Sequence, residues 1–571
     1  MKTNKIFALL LCLAIMLSIT PVISLTVSAK PAPTPSYTLT VPAKLPVKNA
    51  GWNATDGITA EATGETDFPA VQYLLVTAES ANEWQLKSES ENTIDYVLTT
   101  AEGGAQTTEW KFTATELDAG TTKTMGIMLD DYSNAPFGSY TDTVVFTASV
   151  EMMDVLLTKT GEDDTLMFLT DYRDAANNGE YAGWTVNLLH DVDLKGELWT
   201  PIECFNGTFD GYGYTISNLK IEAPNGTGAF FKSCADGATI KNILFEDVDV
   251  SGKYVAVVVG DVETTNNLTL RSICVLSGKV TATGYGAGIV FDAEGENLTL
   301  QYCENYATIE GWSASGIGAW VYPKSGSDVY GLYNYGEVTA TNRAGGIFAN
   351  WGGANLSFCY NAGNVTVSEN QYGKMPAGGI VGVAGGKTTI EYCLNEGTVA
   401  NLSVVDQYNA SAGGILGQNP GSAVTIRCCI NYGNVSAANC AAAGIGVSLY
   451  GGITAVKCHN EASVGAYNLN GGTKSYAAGI VAAAGMFGGA NSTTCCMDNS
   501  RYVGFVYGET GSCHIADNAV NSFYFDDFDG KLYDADGEES DTTYVLNALN
   551  EGEEFFYSDG EMIRPINPFY K

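Results

Sequence analysis

The sequence of 571 residues holds 64 acidic side chains against 28 basic ones, which gives a formal net charge of −36. Nucleic acids and anionic membranes attract basic patches, so this charge disfavours both as partners, and it also counts against a lyase that cleaves acidic sugars. An apolar content of 45% is ample for a buried core, and the length exceeds that of one ordinary domain.

Residues 1–29 have the features of a secretory signal peptide. Lys2 and Lys5 provide a basic start, Ile6–Ile19 form an apolar stretch, and small residues stand at the expected cleavage site. The apolar stretch is short for a membrane span and no second candidate follows it. We therefore expect a cleaved signal and no transmembrane segment, with an uncleaved anchor as the alternative. Residues 30–36 are rich in proline and predict an extended linker.

Residues 37–151 predict a small β-sandwich. Apolar and β-branched runs alternate with polar turns, at Tyr37–Val41, Val71–Val76, Ile94–Leu98, Trp110–Thr113 and Val144–Ala148. With weaker runs between them, they indicate about seven strands in two sheets. The stretch from Gly138 to Val144 resembles the last strand of Ig-like modules on bacterial surface proteins. The region holds no cysteine, so it lacks the disulfide of antibody domains.

Residues 152–186 predict a linker followed by a short capping helix. Between Leu166 and Gly179 apolar side chains recur at helical spacing, at Phe168, Leu169, Tyr172, Ala175 and Ala176. An exposed end of a parallel β-structure offers unpaired backbone N–H and C=O groups. Such a helix would cover the open end of the array that follows.

From residue 187 to residue 520, two motifs repeat together. A small residue, a glycine and an isoleucine recur, with the isoleucine at Ile289, Ile317, Ile347, Ile380, Ile415, Ile445 and Ile480; an asparagine row follows at Asn305, Asn334, Asn361, Asn395, Asn431 and Asn460. The isoleucines are 28 to 35 residues apart, and no helical spacing lies between them. This pattern predicts three short strands per repeat, which form one coil of a right-handed parallel β-helix. The chain is therefore predicted to be all-β, a solenoid preceded by a small sandwich.

The array also resembles a known family. Its start, from Phe205 to Gly211 (FNGTFDG), and the later Asn-x-Gly-x-Val and Ala-Gly-Gly-Ile-x-Gly rows resemble secreted bacterial β-helix proteins with GLUG-type repeats. The resemblance covers Leu166 to Val520. It implies the solenoid fold and, since such proteins are mostly described as surface or adhesin-like, a binding role without an assigned reaction. The motifs at 315–317 and 443–445 depart from the strict pattern and leave the register of their coils open.

The asparagines and glycines are predicted to serve the architecture. Asparagine tolerates left-handed backbone at turns, and stacked amides can hydrogen-bond from coil to coil. Glycine allows tight corners or the close approach of neighbouring backbones.

Five cysteines stand two residues before an asparagine of the row: Cys303, Cys359, Cys393, Cys429 and Cys458. Equivalent positions of adjacent coils stack about 4.8 Å apart, so these side chains should form a row. A metal-binding or redox row is one hypothesis, and the favoured one is thiols packed in the core as small apolar groups. The pairs 428–429 and 495–496 direct successive side chains to opposite faces, which argues against a zinc site.

Residues 521–571 form an acidic tail that is predicted to cap the far end of the solenoid. A helical run stands at Val545–Leu549, and partial matches to a calcium loop involve Asp527, Asp529, Asp534 and Asp536. Apolar residues occupy the first ligand positions of those matches. We therefore expect no cofactor, with calcium as the open alternative.

Catalytic motifs are scarce. The sequence holds no Gly-x-Ser-x-Gly elbow, no His-Glu-x-x-His and no phosphate loop. Parallel β-helices nevertheless host glycoside hydrolases and lyases, and a glycoside hydrolase needs only two carboxylates at the right separation. The early coils offer Asp191, Asp193, Asp210, Asp247 and Asp249. Capping or solvated turn carboxylates are the simpler interpretation.

Aromatic side chains provide the best candidate binding surface. Tyrosines recur beside the asparagine row and tryptophans fall between the strands, at Tyr302, Tyr306, Tyr333, Tyr335, Tyr360, Tyr392 and Tyr432, and at Trp312, Trp320 and Trp351. Such rings can stack on sugars or contact a partner protein, or they can equally stack on one another.

These observations predict a secreted or cell-surface, adhesin-like scaffold that recognises a glycan or a host or partner surface protein through the β-helix face. The alternative is a carbohydrate-active β-helix enzyme, a glycoside hydrolase or polysaccharide lyase with paired carboxylates. A paired-carboxylate cleft with a perturbed acid would favour the enzyme, and an aromatic face without one would favour the binder.

Overall fold

The structure is a computed structural model, and the chain divides into two compact units, Met1–Met152 and Met153–Lys571. It describes residues 36–566 except 44, 46, 48–49, 64–71, 137, 153, 158–165, 263–266, 325, 369–375, 404–409, 439, 468–475, 484–490, 501–502, 506–510, 514–518, 521, 527–530, 551–554 and 560–561. The predicted signal peptide and most of the proline-rich linker lie outside the described residues.

The first unit consists of small antiparallel sheets. Their strands are Tyr37–Thr40, Ile58–Ala62 and Thr121–Lys123 in one sheet; Gly51–Ala54, Gln85–Ser88, Thr93–Thr99, Gly126–Leu129 and Tyr140–Thr141 in the second; and Gln72–Ser80, Glu109–Thr113 and Val144–Met152 in the third. A short helix, Ala114–Asp118, begins with a capping box between Thr113 and Glu116. Strict alternation along Glu109–Thr113 buries Trp110 and Phe112 in the core of this unit.

The second unit is a parallel β-solenoid of about nine turns, which confirms the predicted all-β class. Each coil passes in order through three sheets, called here the first, second and third sheets. The nine strands of the third sheet, one per coil, are Phe231–Cys234, Val259–Val262, Val290–Gly295, Gly318–Pro323, Phe348–Gly352, Val381–Gly385, Leu416–Asn419, Gly446–Ser448 and Val481–Ala483.

The first and second sheets hold the other strands of the solenoid. The second sheet contains Lys220–Gly228, Val248–Ala256, Gly278–Ala287, Thr308–Ser315, Val338–Gly345, Val365–Val367, Ala377–Gly378, Val399–Asn401, Ala412–Gly413, Val435–Ala437, Ala441–Ala443, Val464–Ala466, Tyr476–Ala478, Val503–Phe505 and Gly511–Cys513. The first sheet contains Asp154–Leu157, Leu166–Met167, Thr185–Leu188, Val192–Asp193, Thr208–Asp210, Thr215–Ser217, Thr239–Glu246, Leu268–Val275, Leu298–Gln301, Glu304–Asn305, Asp328–Tyr330, Tyr333–Asn334, Leu356–Ser357, Tyr360–Asn361, Thr388–Glu391, Leu394–Asn395, Val424–Arg427, Ile430–Asn431, Ile453–Val456, His459–Asn460, Ser492–Thr494, Met497–Asp498, Ala519–Val520, Phe523–Asp526, Lys531–Asp534 and Glu539–Ser540.

A short helix follows the first two strands of the first sheet. It spans Leu169–Asn177 and buries Leu169 and Tyr172 in the same core cluster as the coils. The Asn177 side chain donates to the carbonyl of Pro201 and accepts from the backbone N–H of Glu203. Among the described residues, no helix has the length and apolar character needed to cross a membrane.

The asparagine row forms a buried amide ladder. Each Nδ2 donates to a carbonyl two residues further on, at 2.8 to 3.1 Å, and to the Oδ1 of the next coil, at 2.8 to 2.9 Å. The ladder runs in one direction from Asn305 through Asn334, Asn361, Asn395, Asn431 and Asn460 to the carboxyl group of Asp498, and all seven side chains are fully buried. Polar groups at this depth are tolerated because every amide finds partners.

The expected left-handed backbone lies elsewhere, because the ladder asparagines occupy short strands. Positive φ values of 50° to 66° occur three residues before each ladder position, at Tyr302, Gly331, Phe358, Tyr392, Cys428, Lys457 and Cys495. The left-handed residue turns the chain between the two strands that each coil contributes to the first sheet. The left-handed residue also places two adjacent cysteines in different clusters: Cys429 lies in the solenoid core, whereas Cys428 belongs to a second cluster.

The middle glycine of each Gly-Ile motif packs directly against the ladder. A Cβ atom on Gly379 would lie 2.4 Å from Cγ of Asn395 and 2.0 Å from the carbonyl oxygen of Gly414. The two motifs that depart from the strict pattern keep the register, since Ser315 pairs with Gly345 and Ala443 with Gly413. The middle position holds glycine in every motif, whereas the first position accepts serine or alanine in some coils and is also tightly packed where it is Gly345, Gly378 or Gly413.

The cysteine row lies in the core, with Cys303, Cys359, Cys393, Cys429 and Cys458 all buried and free. Burial raises the pKa of Cys303 to about 12 and holds the pKa values of Cys393, Cys429 and Cys458 well above the usual thiol range. A metal ligand must be a thiolate, so these protonated thiols behave as small apolar groups.

The last part of the chain, here called the C-terminal segment (described residues 522–566), closes the first sheet and folds over its outer face. Phe523–Asp526 pairs in parallel with Met497–Asp498, and Lys531–Asp534 and Glu539–Ser540 then add antiparallel strands. The helix Thr542–Leu549 buries Val545 and Leu549 against the outer row of this sheet. That row runs in register through Tyr333, Tyr360, Leu394, Ile430, His459, Met497 and Phe523, becoming mainly apolar beneath the segment.

Arg564 ties the end of this segment to a coil. It lies in the hairpin Phe556–Ser558 and Ile563–Pro565, and its Nη1 donates to both carboxylate oxygens of Glu461, at 2.8 and 2.9 Å. His459 Nε2 lies 3.5 Å from the same carboxylate. These contacts, with His459 contributing most, lower the pKa of Glu461 to about 2 although burial opposes the shift.

Replacement of Gly379 by alanine is expected to lower the free energy of unfolding by about 1–3 kcal/mol, because the added methyl must displace the ladder or a backbone carbonyl. Gly421→Ala is the control, since its Cβ would have no atom within 4 Å. Urea unfolding measures both variants. Equal stability of the two variants would contradict the packing described above.

Thiol labelling is expected to separate the exposed Cys204 from the core row. In the native protein Cys204 should react faster than Cys393 or Cys429, by on the order of 100-fold or more, since buried thiols react only when the coils open. Peptide mass spectrometry gives the rates, and urea-unfolded protein, in which the thiols are all accessible, serves as the reference.

The attachment of the C-terminal hairpin is expected to weaken in acid. Glu461 has a lowered pKa in the folded protein, so its contribution is fully present above the unfolded value of about 4.3 and is lost as the pH falls towards 2. Glu461→Gln should speed hydrogen exchange in residues 555–559 at pH 7, and the difference from the parent should shrink in acid. Glu539→Gln, which removes an exposed ion pair, is the control and should change little.

Candidate functional site

Four successive coils carry a matched pair of side chains where the second sheet passes into the third. In each pair the two residues are seven positions apart and flank the buried turn. The pairs, here called the corner site, are Tyr254 and Asp261, Tyr285 and Asp292, Ser313 and Trp320, and Arg343 and Asn350.

Strand register brings these pairs together. Tyr285 pairs with Tyr254 on one side and Ser313 on the other, and Asp292 pairs with Trp320. Neighbouring parallel strands lie about 4.8 Å apart, so four coils span roughly 15 Å along the solenoid. In the next coils the third-sheet position holds Val383 and then Gln418, both neutral. The charged and aromatic stretch is therefore confined to these four coils.

Aromatic rings from the same coils surround the corner site. The set comprises Tyr254, Tyr285 and Trp320 of the pairs and the flanking Phe291, Trp312 and Tyr322. Tyr285 lies at the centre, with ring centroids 5.4 Å from Trp312 and 5.8 Å from Trp320 in edge-on geometry. Trp312 is 38% exposed and Trp320 is half-buried, so ring surface remains open to a ligand.

Arg343 links the two sheets at one end of the site. Its Nη1 donates to Oδ1 of Asn350 at 2.6 Å, and Nδ2 of Asn350 donates to the carbonyl of Ala319. Within the part of the chain that the structure describes, the buried Nε of Arg343 has no hydrogen-bond partner. A buried donor without an acceptor is costly, so this atom is suited to a ligand oxygen.

Carboxyl groups stand beside the rings. Val259 pairs with Val290, which places Asp261 next to Asp292 on the adjacent coil. Burial, and after it the charges of Asp261 and Glu294, raises the pKa of Asp292 to about 7. Asp292 is therefore largely protonated at slightly acid pH and can donate a proton or hydrogen bond.

The five aspartates predicted for catalysis lie elsewhere, in the strands and turns of the early coils. Asp191 accepts from the backbone N–H of Thr215 on the next coil at 2.9 Å. Asp193 accepts from the backbone N–H of Lys195 and from Nδ2 of Asn218, both at 2.7 Å. Both carboxylates thus hold the backbone of turns.

Asp210 and Asp247 have similar positions. Asp210 accepts from Nδ2 of Asn242 at 3.1 Å and forms an ion pair with Lys241. Asp247 accepts from the hydroxyl of Ser277 on the next coil at 2.8 Å. Each links neighbouring coils, which is the capping role expected of a structural carboxylate.

Asp249 is exposed and pairs in register with Lys220 and Lys279 on the adjacent coils. The five predicted aspartates thus stand apart from the corner site, where the carboxyl groups come from later residues.

The predicted tyrosines line the outer face of the first sheet and are half-buried. Tyr306 stacks on Tyr335 at 4.4 Å, and the hydroxyls of Tyr302 and Tyr330 lie 3.2 Å apart. Tyr333 and Tyr360 are neighbouring rings, and the partly buried Tyr360, Tyr392 and Tyr432 pack against the cluster beneath the C-terminal segment. Much of this row therefore stacks on itself or is covered.

The three predicted tryptophans divide between surface and core. Trp312 and Trp320 belong to the surroundings of the corner site, whereas Trp351 is fully buried. The ring of Trp351 stacks on Phe348 at 4.7 Å, and its Nε1 donates to Thr388 at 3.0 Å. It supports the core and is not part of a binding surface.

The described part of the calcium candidate forms a hairpin turn. Oδ1 of Asp534 accepts from the backbone N–H groups of Asp536 and Glu538, at 3.0 and 2.9 Å. Asp527 and Asp529 lie outside the described residues. Within those that are described, no group of three His, Cys, Asp or Glu side chains is arranged to hold a metal ion. Calcium binding stays a prediction.

Sequence reasoning missed most of the corner site, including Tyr254, Asp261, Tyr285, Asp292 and Arg343. A signal was present for Tyr285, Asp292 and Arg343, because each stands three or four residues from the middle glycine of a Gly-Ile motif. Pairing residues seven apart around each motif would have found the pairs of those coils.

Comparison with protein-family models gives no match, and comparison with curated protein sequences gives none. One similar solved structure is that of a "putative immunoglobulin A1 protease" from Bacteroides ovatus. The similarity covers 72% of this chain and 91% of that chain, with 14% sequence identity and a TM-score of 0.27. At this TM-score it carries no argument about the activity of this protein.

Proposed function

We propose that this protein is a secreted binding protein whose solenoid holds a glycan chain at the corner site. The observation that carries the proposal is the gathering of aromatic rings from four adjacent coils around one partly open surface. Aromatic faces pack against the apolar C–H faces of sugar rings, and nearby polar groups fix the orientation.

The polar groups of the site suit sugar hydroxyls. Arg343 offers a buried donor without a partner among the described residues, and protonated Asp292 offers another. Burial raises the pKa of Tyr285 and Tyr322, so both phenols remain neutral donors at physiological pH. With Asp261 and Glu294 alongside and a net charge of −36, the site favours a neutral chain over a polyanionic one.

Secretion and an adhesin-like role are also part of this proposal. Secretion is supported by residues 1–29, and an adhesin-like role by the resemblance to GLUG-type repeat proteins. The outer tyrosine face supports the proposal less, because its rings stack on one another and part of it is covered.

Removal of the Trp320 ring is expected to weaken glycan binding at least about tenfold, because a half-buried aromatic ring that packs against a ligand carries much of the binding energy. The purified chain is titrated with soluble neutral polysaccharides by calorimetry, with Trp320→Ala and Trp312→Ala as test variants.

Tyr450→Ala is the matched control, since Tyr450 is 55% exposed and lies outside the corner site. Thermal unfolding checks that the variants remain folded. Binding that survives both tryptophan changes, or that is lost equally in the control, would place the glycan elsewhere.

A further inference from the structure

The third-sheet row of the corner site places two carboxyl groups side by side. Asp261 and Asp292 occupy equivalent positions on adjacent coils, since Val259 pairs with Val290 two residues earlier. Adjacent parallel strands are about 4.8 Å apart, so side chains at equivalent positions can bring their carboxyl groups to the separation of about 5–5.5 Å that retaining glycosidases use, which is shorter than that of inverting ones.

The surroundings make Asp292 suited to the role of the acid. Burial raises the pKa of Asp292 to about 7, and the next largest effect is the negative charge of Asp261, with Glu294 after it. The neutral phenols of Tyr285 and Tyr322 and the Arg343 guanidinium also face this region, and Lys324 pairs with Glu294. A carboxyl group that keeps its proton beside a second carboxyl group is the arrangement that glycoside cleavage requires.

We infer that the corner site hydrolyses a glycosidic bond of the neutral glycan that it binds, with Asp292 as the acid and Asp261 as the nucleophile. This inference rests on the proposed function. It stands on the register of the two carboxyl groups, the rings around them and the unpartnered Nε of Arg343, which has no acceptor among the described residues.

The first half of the reaction uses both carboxyl groups. The Asp292 O–H gives its proton to the glycosidic oxygen while the bond from that oxygen to the anomeric carbon breaks. The leaving part of the chain departs as an alcohol, and a carboxylate oxygen of Asp261 forms an ester bond to the anomeric carbon.

Water completes the cycle. Asp292, now ionised, takes a proton from a water molecule, whose oxygen attacks the anomeric carbon and displaces Asp261. One glycosidic bond is cleaved and one water is consumed, with both carboxyl groups returned to their starting states. The rings of Tyr285 and Trp320 hold the flanking sugars, and Arg343 donates to a hydroxyl.

The test measures the release of reducing ends by the purified chain from soluble β-glucan, xylan, galactomannan and starch. Asp292→Asn and Asp261→Asn should each lower the rate by about 100-fold or more. Both should keep the binding of the same polysaccharide that calorimetry shows for the parent. Asp249→Asn, an exposed aspartate outside the site, is the control and should leave the rate unchanged.

The pH dependence and the stereochemistry give independent readouts. The rate should fall above about pH 7, because Asp292 then loses the proton that it must donate. Nuclear magnetic resonance of the first product should show a retained anomeric configuration. Inversion would overturn the role of Asp261 as nucleophile.

The remaining outcomes separate the two proposals. Polysaccharide that binds and stays intact would overturn hydrolysis and leave the binding function standing. Absence of both binding and cleavage across the four polysaccharides would overturn both. Cleavage that persists in Asp292→Asn would assign the activity to another site and also overturn this one.

Discussion

The one-directional amide ladder is the constraint on which the solenoid depends. Each asparagine amide donates one hydrogen bond to a carbonyl of its own coil and one to the side-chain oxygen of the next coil. A coil shifted in register would therefore leave buried amides without hydrogen bonds. The middle glycines let each coil approach the ladder closely enough for these bonds to form. Register is therefore set inside the core, by polar contacts, and the apolar packing follows it.

This internal control of register leaves the outer positions free to differ from coil to coil. At the turn between the second and third sheets the same positions carry Tyr and Asp on one coil, Arg and Asn on another, and Val383 further along. Substitutions at the outer positions of a few coils can thus form a chemical site without disturbing the fold. The neighbouring carboxyl groups of the corner site and the raised pKa of Asp292 are an example of such a local difference between coils.

The fold class was predictable because its signal is local and periodic: the Gly-Ile motif recurs from Ile289 to Ile480 and the asparagine row from Asn305 to Asn460. The left-handed positions were misplaced because Tyr392 and Cys428 adopt them, residue types that rarely do so. Trp312 and Trp320 were predicted as surface rings, but Trp351 could not be distinguished from them without its contacts. Asp261 and Asp292 were missed because their proximity arises from register between residues 31 positions apart.

The ladder ends on Asp498, so a coil added before this residue and a coil added after it would meet different hydrogen-bonding partners. Duplicating a coil before Asp498 would insert one more asparagine that both donates and accepts, so the array could lengthen internally. A coil appended after Asp498 would meet a carboxyl group, which has no amide hydrogens to donate to a further ladder residue. The acid thus ends the amide ladder within the core, whereas the first sheet continues past it through Phe523–Asp526 without a further ladder residue.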